Sequence, residues 1–358
     1  MAYRTETRFC LRVTVAGMLA FAVARGLSFP LHGLWAVLTA VVVSQASVGA
    51  SLRATIEYIV GTLGGAIYAA AVGVLVPHST ALAQAGVLAL AVAPLAFAAA
   101  INPIFRVAPF SAALVLLIGG ELGGSPIQSA LTRVLEVALG GAVAVAVSVL
   151  VLPERAHSLG LDEAARILKQ MAKVLPRLIA ASSQGIDSAE LSRLQGDLGR
   201  SVTAFQGLAA EARRERILAL TPALDPGPLS RTLLRIRHDF VILGRAAAEP
   251  LPPAIEERLS RPLVGVSRGG GEFLLAASAA LVQGLSPPPL EPVETAFKDY
   301  ENELGLIRKD GLTRGLSTAQ VERLFAMGFA FEQLRQNFFD LSRWLREYAE
   351  SFGHKALS

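Results

Sequence analysis

In the first 152 residues the apolar positions do not alternate with polar ones; they run on in blocks. Six blocks, about 9–27, 32–48, 55–76, 81–101, 105–120 and 133–152, approach the roughly 20 apolar residues that a helix needs to cross a bilayer core. The breaks between them carry turn and loop residues: Ser28 to Pro30, Gly49 to Ser51, Pro77 to Ser79, Asn102 to Pro103 and Gly123 to Pro126. The fifth block is the shortest. It predicts a span with little tilt or a partly re-entrant helix.

From Pro153 the pattern changes to the three-and-four spacing of amphipathic helices. Asp162 is a candidate cap for a helix through Ile167, Met171, Val174 and Leu178. Ser317-Thr318-Ala319-Gln320 reads as a capping box. A long apolar face follows it at Val321, Leu324, Gly328, Phe331, Leu334, Phe338, Leu341, Leu345 and Tyr348. Segments near 188–222, 228–248, 253–284 and 292–310 are consistent with further helices, broken at Asp225-Pro226-Gly227, Leu251-Pro252-Pro253 and Pro287-Pro288-Pro289. No strand alternation is visible. The expectation is an all-α membrane protein: a six-helix transmembrane domain over 1–152, then a cytoplasmic helical bundle domain over 153–358.

Composition sharpens the division. Residues 1–152 hold seven Arg, four Glu, no Lys and no Asp, which leaves 26 of the 33 Lys and Arg and 25 of the 29 Asp and Glu for the rest. The net charge of +4 is too small for a nucleic-acid binder. The single Cys10 excludes a disulfide framework, and five scattered His leave no metal-ligand spacing. His32 and His78 read as solvated loop residues, and the adjacent His238-Asp239 pair does not face one point on a helix. Gly269-Gly270-Gly271 lacks the Lys-Ser/Thr of a phosphate loop and reads as a hinge or helix break. Neither an enzymatic activity nor a cofactor is expected.

Basic residues near the span ends set the orientation. With the N-terminus in the cytoplasm, Arg4, Arg8, Arg53, Arg106 and Arg155 lie inside and Arg25 outside; Arg133, opening the sixth span from outside, departs from this rule. An even number of spans then returns the C-terminus to the cytoplasm. A signal peptide ending at Ala22-Val23-Ala24 is the competing reading of the first span, and Arg12 within the apolar run argues against it. At an offset of 79 residues Pro30 aligns with Pro109, Leu38 with Leu117, Leu52 with Leu131, Glu57 with Glu136 and Gly61 with Gly140. A three-span unit inserts its second copy upside down, so this match predicts two inverted three-helix repeats.

Charges kept inside apolar spans normally face a cavity, a partner or the membrane edge. The candidates are Arg12, Arg25, Arg53, Glu57, Arg106, Arg133 and Glu136. Arg53 and Glu57 stand four apart and Arg133 and Glu136 three apart, so each pair shares a helix face, either as a local ion pair or as the wall of a cavity. An excess of Arg makes such a cavity attractive to anions, and its planar fork suits a carboxylate. Trp35 is either an interface anchor or part of a path for an aromatic ligand. The glycines Gly61, Gly64, Gly65, Gly140 and Gly141 are expected to let helices approach closely.

The run Leu34-Trp35-Ala36-Val37-Leu38-Thr39-Ala40-Val41-Val42-Val43, followed by Ser51-Leu52-Arg53, Glu57 and Gly61-Thr62-Leu63-Gly64-Gly65, resembles the fusaric acid resistance-like (FUSC) family. That family is related to the aromatic acid exporters and, more distantly, to the aluminium-activated malate transporters of plants. The resemblance covers about residues 8–155, where the sixth span closes on Leu152-Pro153. It implies a multi-pass protein of the cell inner membrane that passes organic anions, aromatic carboxylates among them, in the efflux direction, through a homodimer in the lipid bilayer. Longer exporters of the family carry a second hydrophobic block. This sequence shows none, which leaves transport alone, as a dimer, or with an additional efflux component as alternatives. The substrate-binding candidates are Arg12, Trp35, Arg53, Glu57, Arg106, Arg133 and Glu136. The competing function is a membrane-anchored dimeric scaffold whose cytoplasmic domain binds a partner, without transport activity.

Overall fold

The computed structural model describes residues 4–29, 33–76, 80–121, 125–151, 155–217 and 224–356. Among the described residues every regular element is a helix. The chain divides into two compact units, Met1–Arg155 and Ala156–Ser358.

The first unit contains α1 (Arg4–Gly26), α2 (Leu34–Val43), α3 (Val48–Leu75), α4 (Ala81–Ile101), α5 (Ala108–Glu121) and α6 (Pro126–Leu150), with a 3-10 turn at Pro103–Phe105 before α5. Four of these, α1, α3, α4 and α6, are long and apolar enough to cross a membrane. The second and fifth helices are shorter than the six apolar blocks imply. At a rise of about 1.5 Å per residue the 10 residues of α2 cover roughly half of a bilayer core. The sequence explains why. Ser44 turns into extended backbone and donates its hydroxyl to the Ala40 carbonyl at 2.7 Å, closing α2. Ser47 then accepts from the Ala50 amide at 3.1 Å and opens α3. These small polar residues disappear in an averaged hydropathy but hold the backbone groups that a helix end leaves open. At α6, Ser125 and Gln128 form a reciprocal capping box with Pro126 in the first turn.

Small residues set how the first unit packs. A Cβ on Gly65 would collide with the Ala108 backbone of α5, and one on Gly140 with the Ala36 carbonyl of α2. A Cβ on Gly61 would stand 3.1 Å from the Ile104 carbonyl. Thus α3 of the first three-helix half packs on α5 of the second, α6 of the second packs on α2 of the first, and α3 and α6 pack on each other. Pro30, part of the 79-residue repeat, lies outside the described residues, as do His32 and His78.

The second unit contains α7 (Ala156–Gln184), α8 (Ser188–Ile217), α9 (Gly227–Ala246), α10 (Pro253–Gln283), α11 (Glu291–Lys309) and α12 (Thr318–Ala356). Its core is a continuous apolar cluster, with Leu168, Met171, Leu175, Phe205, Ile236, Phe240, Leu274 and Phe338 buried among α7 to α12. The box at Ser317 and Gln320 forms in both directions, at 2.9 and 3.3 Å, and Leu324, Phe331, Leu334, Phe338, Leu341, Leu345 and Tyr348 are buried behind it. Two expectations are corrected. Asp162 caps no helix, because α7 begins at Ala156; the buried Glu215 carboxylate accepts from the Ala156 amide at 3.1 and 3.2 Å. Gly269-Gly270-Gly271 is neither hinge nor break. It lies inside continuous α10, where a Cβ on Gly270 would stand 2.6 Å from Leu175 Cδ2.

Asp239 of α9 is buried and accepts from the Asn337 amide of α12 at 2.7 Å. Burial pushes its carboxyl up to about 6, against the opposing pull of Asn337 and Arg235. An unfolded aspartate titrates near 4, so the folded chain holds this proton more tightly. The charged form therefore costs stability, and the cost is absent below about pH 4 and complete above about pH 6.

Two outcomes are expected. Gly140→Ala lowers stability by about 2 kcal/mol through overpacking, whereas Gly86→Ala, whose Cβ meets nothing, does not; thermal unfolding in detergent compares the two. Asp239→Asn stabilises the second unit at pH 8 by on the order of 2 kcal/mol and has no effect at pH 4, read from hydrogen exchange in α9 and α12.

Candidate functional site

The candidate site forms where α2, α3 and α6 meet in the first unit. On α3, Ser51, Thr55, Tyr58 and Thr62 recur at steps of four, three and four, and all four are buried, so one face of an apolar helix carries a polar stripe. Ser111 of α5 donates to Thr62 at 3.3 Å. Gly141 of α6 lies against Thr55, and Gly140 against Thr39 of α2. One to two turns earlier on α6 stand Glu136, 1% exposed, and Arg133, 4% exposed.

The Arg133 guanidinium carbon lies 4.4 Å from the centroid of the Trp35 ring and 5.7 Å from that of Phe110. Trp35 and Phe110 meet edge to face at 6.3 Å. The Tyr58 hydroxyl and the Glu136 carboxylate are within electrostatic reach of the guanidinium. Glu136 in turn faces the Trp35 backbone amide, in the first turn of α2. Yet among the described residues no nitrogen of the Arg133 guanidinium and neither oxygen of Glu136 closes a well-formed hydrogen bond, and the Thr39 and Thr55 hydroxyls have no partner. A buried charge without hydrogen bonds costs several kcal/mol, and a desolvated cation over an aromatic ring returns about 2, which offsets only part of it. The site thus sets a buried donor fork without hydrogen bonds, an aromatic plate and a helix N-terminus at one point. That set suits a carboxylate attached to a ring.

The other candidates lie apart. Arg53 and Glu57 form a direct ion pair at 2.6 Å, both substantially exposed, so the local pairing holds there and not at Arg133 and Glu136. Arg12 is buried and donates to the Ala46 carbonyl at 2.7 Å, pinning α1 to the α2–α3 connection. Arg106 is exposed and closes the Pro103–Phe105 turn through its backbone amide. Of the seven candidates, the structure brings together Trp35, Arg133 and Glu136. Sequence reasoning missed Tyr58, Phe110, Thr39 and Thr55; the signal for Tyr58 and Thr55 was the helical spacing of hydroxyl residues through 51–62. Among the described residues no group of His, Cys, Asp and Glu is arranged to hold a metal.

Residues 16–147, nearly all of the first unit, match the model of the fusaric acid resistance protein-like family. No curated protein matches the chain.

The interdependence of Arg133 and Glu136 is measurable. Arg133→Met leaves Glu136 buried without its cation and lowers stability by about 3 kcal/mol, and adding Glu136→Leu recovers most of that loss. Thermal unfolding of both single variants and the double variant checks it.

Proposed function

We propose, from the premise that the first unit is a fusaric acid resistance protein-like domain, that this multi-pass membrane protein passes organic anions, aromatic carboxylates among them, out of the cell. The carrying observation is the buried, hydrogen-bond-deficient Arg133 above the Trp35 ring. The substrate carboxylate engages the Arg133 fork, and its ring packs on Trp35 and Phe110. Glu136 competes with it for the guanidinium and for the first amides of α2, so protonation of Glu136 admits the anion and ionisation releases it. The hydroxyls of Thr39, Thr55 and Tyr58 line the way and exchange water with the passing anion. Arg53 and Glu57 already satisfy each other and serve as the reference pair.

In this reading the protein works in the cell inner membrane as a homodimer, with both termini and the second unit in the cytoplasm, alone or with an additional efflux component. Lipid or a second copy covers α4, of whose most apolar stretch only 11% is buried.

The test is flux of 4-hydroxybenzoate and a panel of other carboxylates from liposomes holding the purified protein. Saturable flux is expected. Arg133→Lys, which keeps the charge and loses the planar fork, lowers it about tenfold or more, while Arg53→Lys stays within about twofold of wild type. Wild-type flux in Arg133→Lys overturns the assigned site. No flux of any carboxylate from folded protein overturns transport and leaves the scaffold reading.

A further inference from the structure

The second unit contains a site of its own between α11 and α12. A groove of about 450 Å³ runs along their contact, within the size range of small-molecule pockets. Its lining includes two glycines in helix interiors, Gly305 and Gly328, where glycine costs about 1 kcal/mol relative to alanine. At Gly305 the packing does not require this: a Cβ there would meet nothing within 4 Å. What its absence leaves is open space in the groove.

The walls are aromatic and partly uncovered. Phe325 is 47% exposed and Phe329 is 56% exposed, an unusual amount for two phenylalanines one turn apart on a helical bundle. Two cations border the groove, and they differ. Arg335 is held by both oxygens of Glu332, at 2.8 and 2.9 Å. Arg308 makes no ion pair among the described residues; its guanidinium carbon lies 4.7 Å from the centroid of Phe325. Tyr300 completes the wall. It is 2% exposed, its hydroxyl has no hydrogen-bond partner, and burial raises its titration so that the phenol stays protonated and keeps a proton to donate.

An uncommitted guanidinium, two open phenyl faces, a phenol donor without an acceptor and an unfilled space share one groove. We propose that this groove binds a planar aromatic monoanion, with its ring against Phe325 and Phe329 and its carboxylate on Arg308 and the Tyr300 hydroxyl. A neutral aromatic brings no negative charge to Arg308 and at most a weaker acceptor to Tyr300, and a dianion meets Glu301 and Glu332 at the rim. This site belongs to the second unit alone, and its occupancy does not depend on whether the first unit transports.

The test uses the full chain in detergent with 1-naphthoate as probe and 1-naphthalenemethanol as its uncharged counterpart. Hydrogen exchange reads the site locally. Naphthoate is expected to slow exchange in α11 around 305–309 and in α12 around 325–332, saturably, and the alcohol about tenfold more weakly. Gly305→Leu fills the space, and it abolishes this protection while leaving the unliganded exchange of both helices intact. Arg308→Gln makes naphthoate and the alcohol equivalent, and Tyr300→Phe weakens naphthoate severalfold. Protection that persists unchanged in Gly305→Leu, equal protection by acid and alcohol in wild type, or no saturable protection of these helices at millimolar naphthoate each overturns the proposal. Failure of carboxylate flux in liposomes leaves it standing, because that readout belongs to the first unit.

Discussion

An apolar helical unit can satisfy its backbone internally, but it has no ready partner for a charged side chain, and the first unit is organised around that constraint. Its glycines draw α6 against α2 and α3 against α5 until backbone meets backbone, with no room for a Cβ. Arg133 is carried into this packing on α6 and is left with a ring to rest on and a carboxylate one turn away. Attraction to the ring and to Glu136 offsets only part of the desolvation of both charges. What remains is a demand for hydrogen-bonding partners that water or an anion can meet and the protein does not. Close packing and the unsatisfied charges are thus two consequences of the same small residues.

The second unit settles its buried polar groups differently. Glu215 caps the first amide of α7, Asn337 donates to Asp239, and Ser278 donates to the Ala165 carbonyl at 2.9 Å. Its Arg and Glu residues sit mostly at the surface in pairs such as Arg177–Glu190 and Arg235–Asp340, each worth little in water. Stability there comes from the continuous apolar core along α7, α10 and α12. Against that background Tyr300 and Arg308 stand out within one groove: the buried phenol has no hydrogen-bond partner, and the guanidinium beside it makes no ion pair among the described residues.

Much of this architecture was legible from residue order. The capping box at Ser317 and Gln320 and the apolar face behind it are local features, fixed by hydrogen bonds three residues apart and by burial at steps of three and four. The same holds for the helix breaks before α9, α10 and α11, where proline leaves no amide to donate. The length of α2 was not legible, because one serine hydroxyl bonded to a carbonyl ends a helix without changing the mean hydropathy. Nor was the role of the triple glycine in α10, since its cause is Leu175, about a hundred positions away in the chain. The family resemblance named the membrane region and its signature, yet within that signature it could not say which of two similar charge pairs was satisfied.

That distinction depends on geometry. Spacing alone gives both pairs one helix face: Arg53 reaches Glu57 across a single turn and closes a contact at 2.6 Å on an exposed surface, where each loses little hydration. Arg133 and Glu136 have nearly the same separation but lie beneath α2 and α3, and each is drawn to a different group: the guanidinium to the Trp35 ring, the carboxylate to the amide that opens α2. A short helix beginning inside the unit is what makes the second attraction available, because its first amides have no acceptor of their own. The unpaired state of Arg133 therefore depends on what α2 brings to it at its N-terminal end, a ring and a free amide from Trp35, which the spacing of charges along α6 does not reveal.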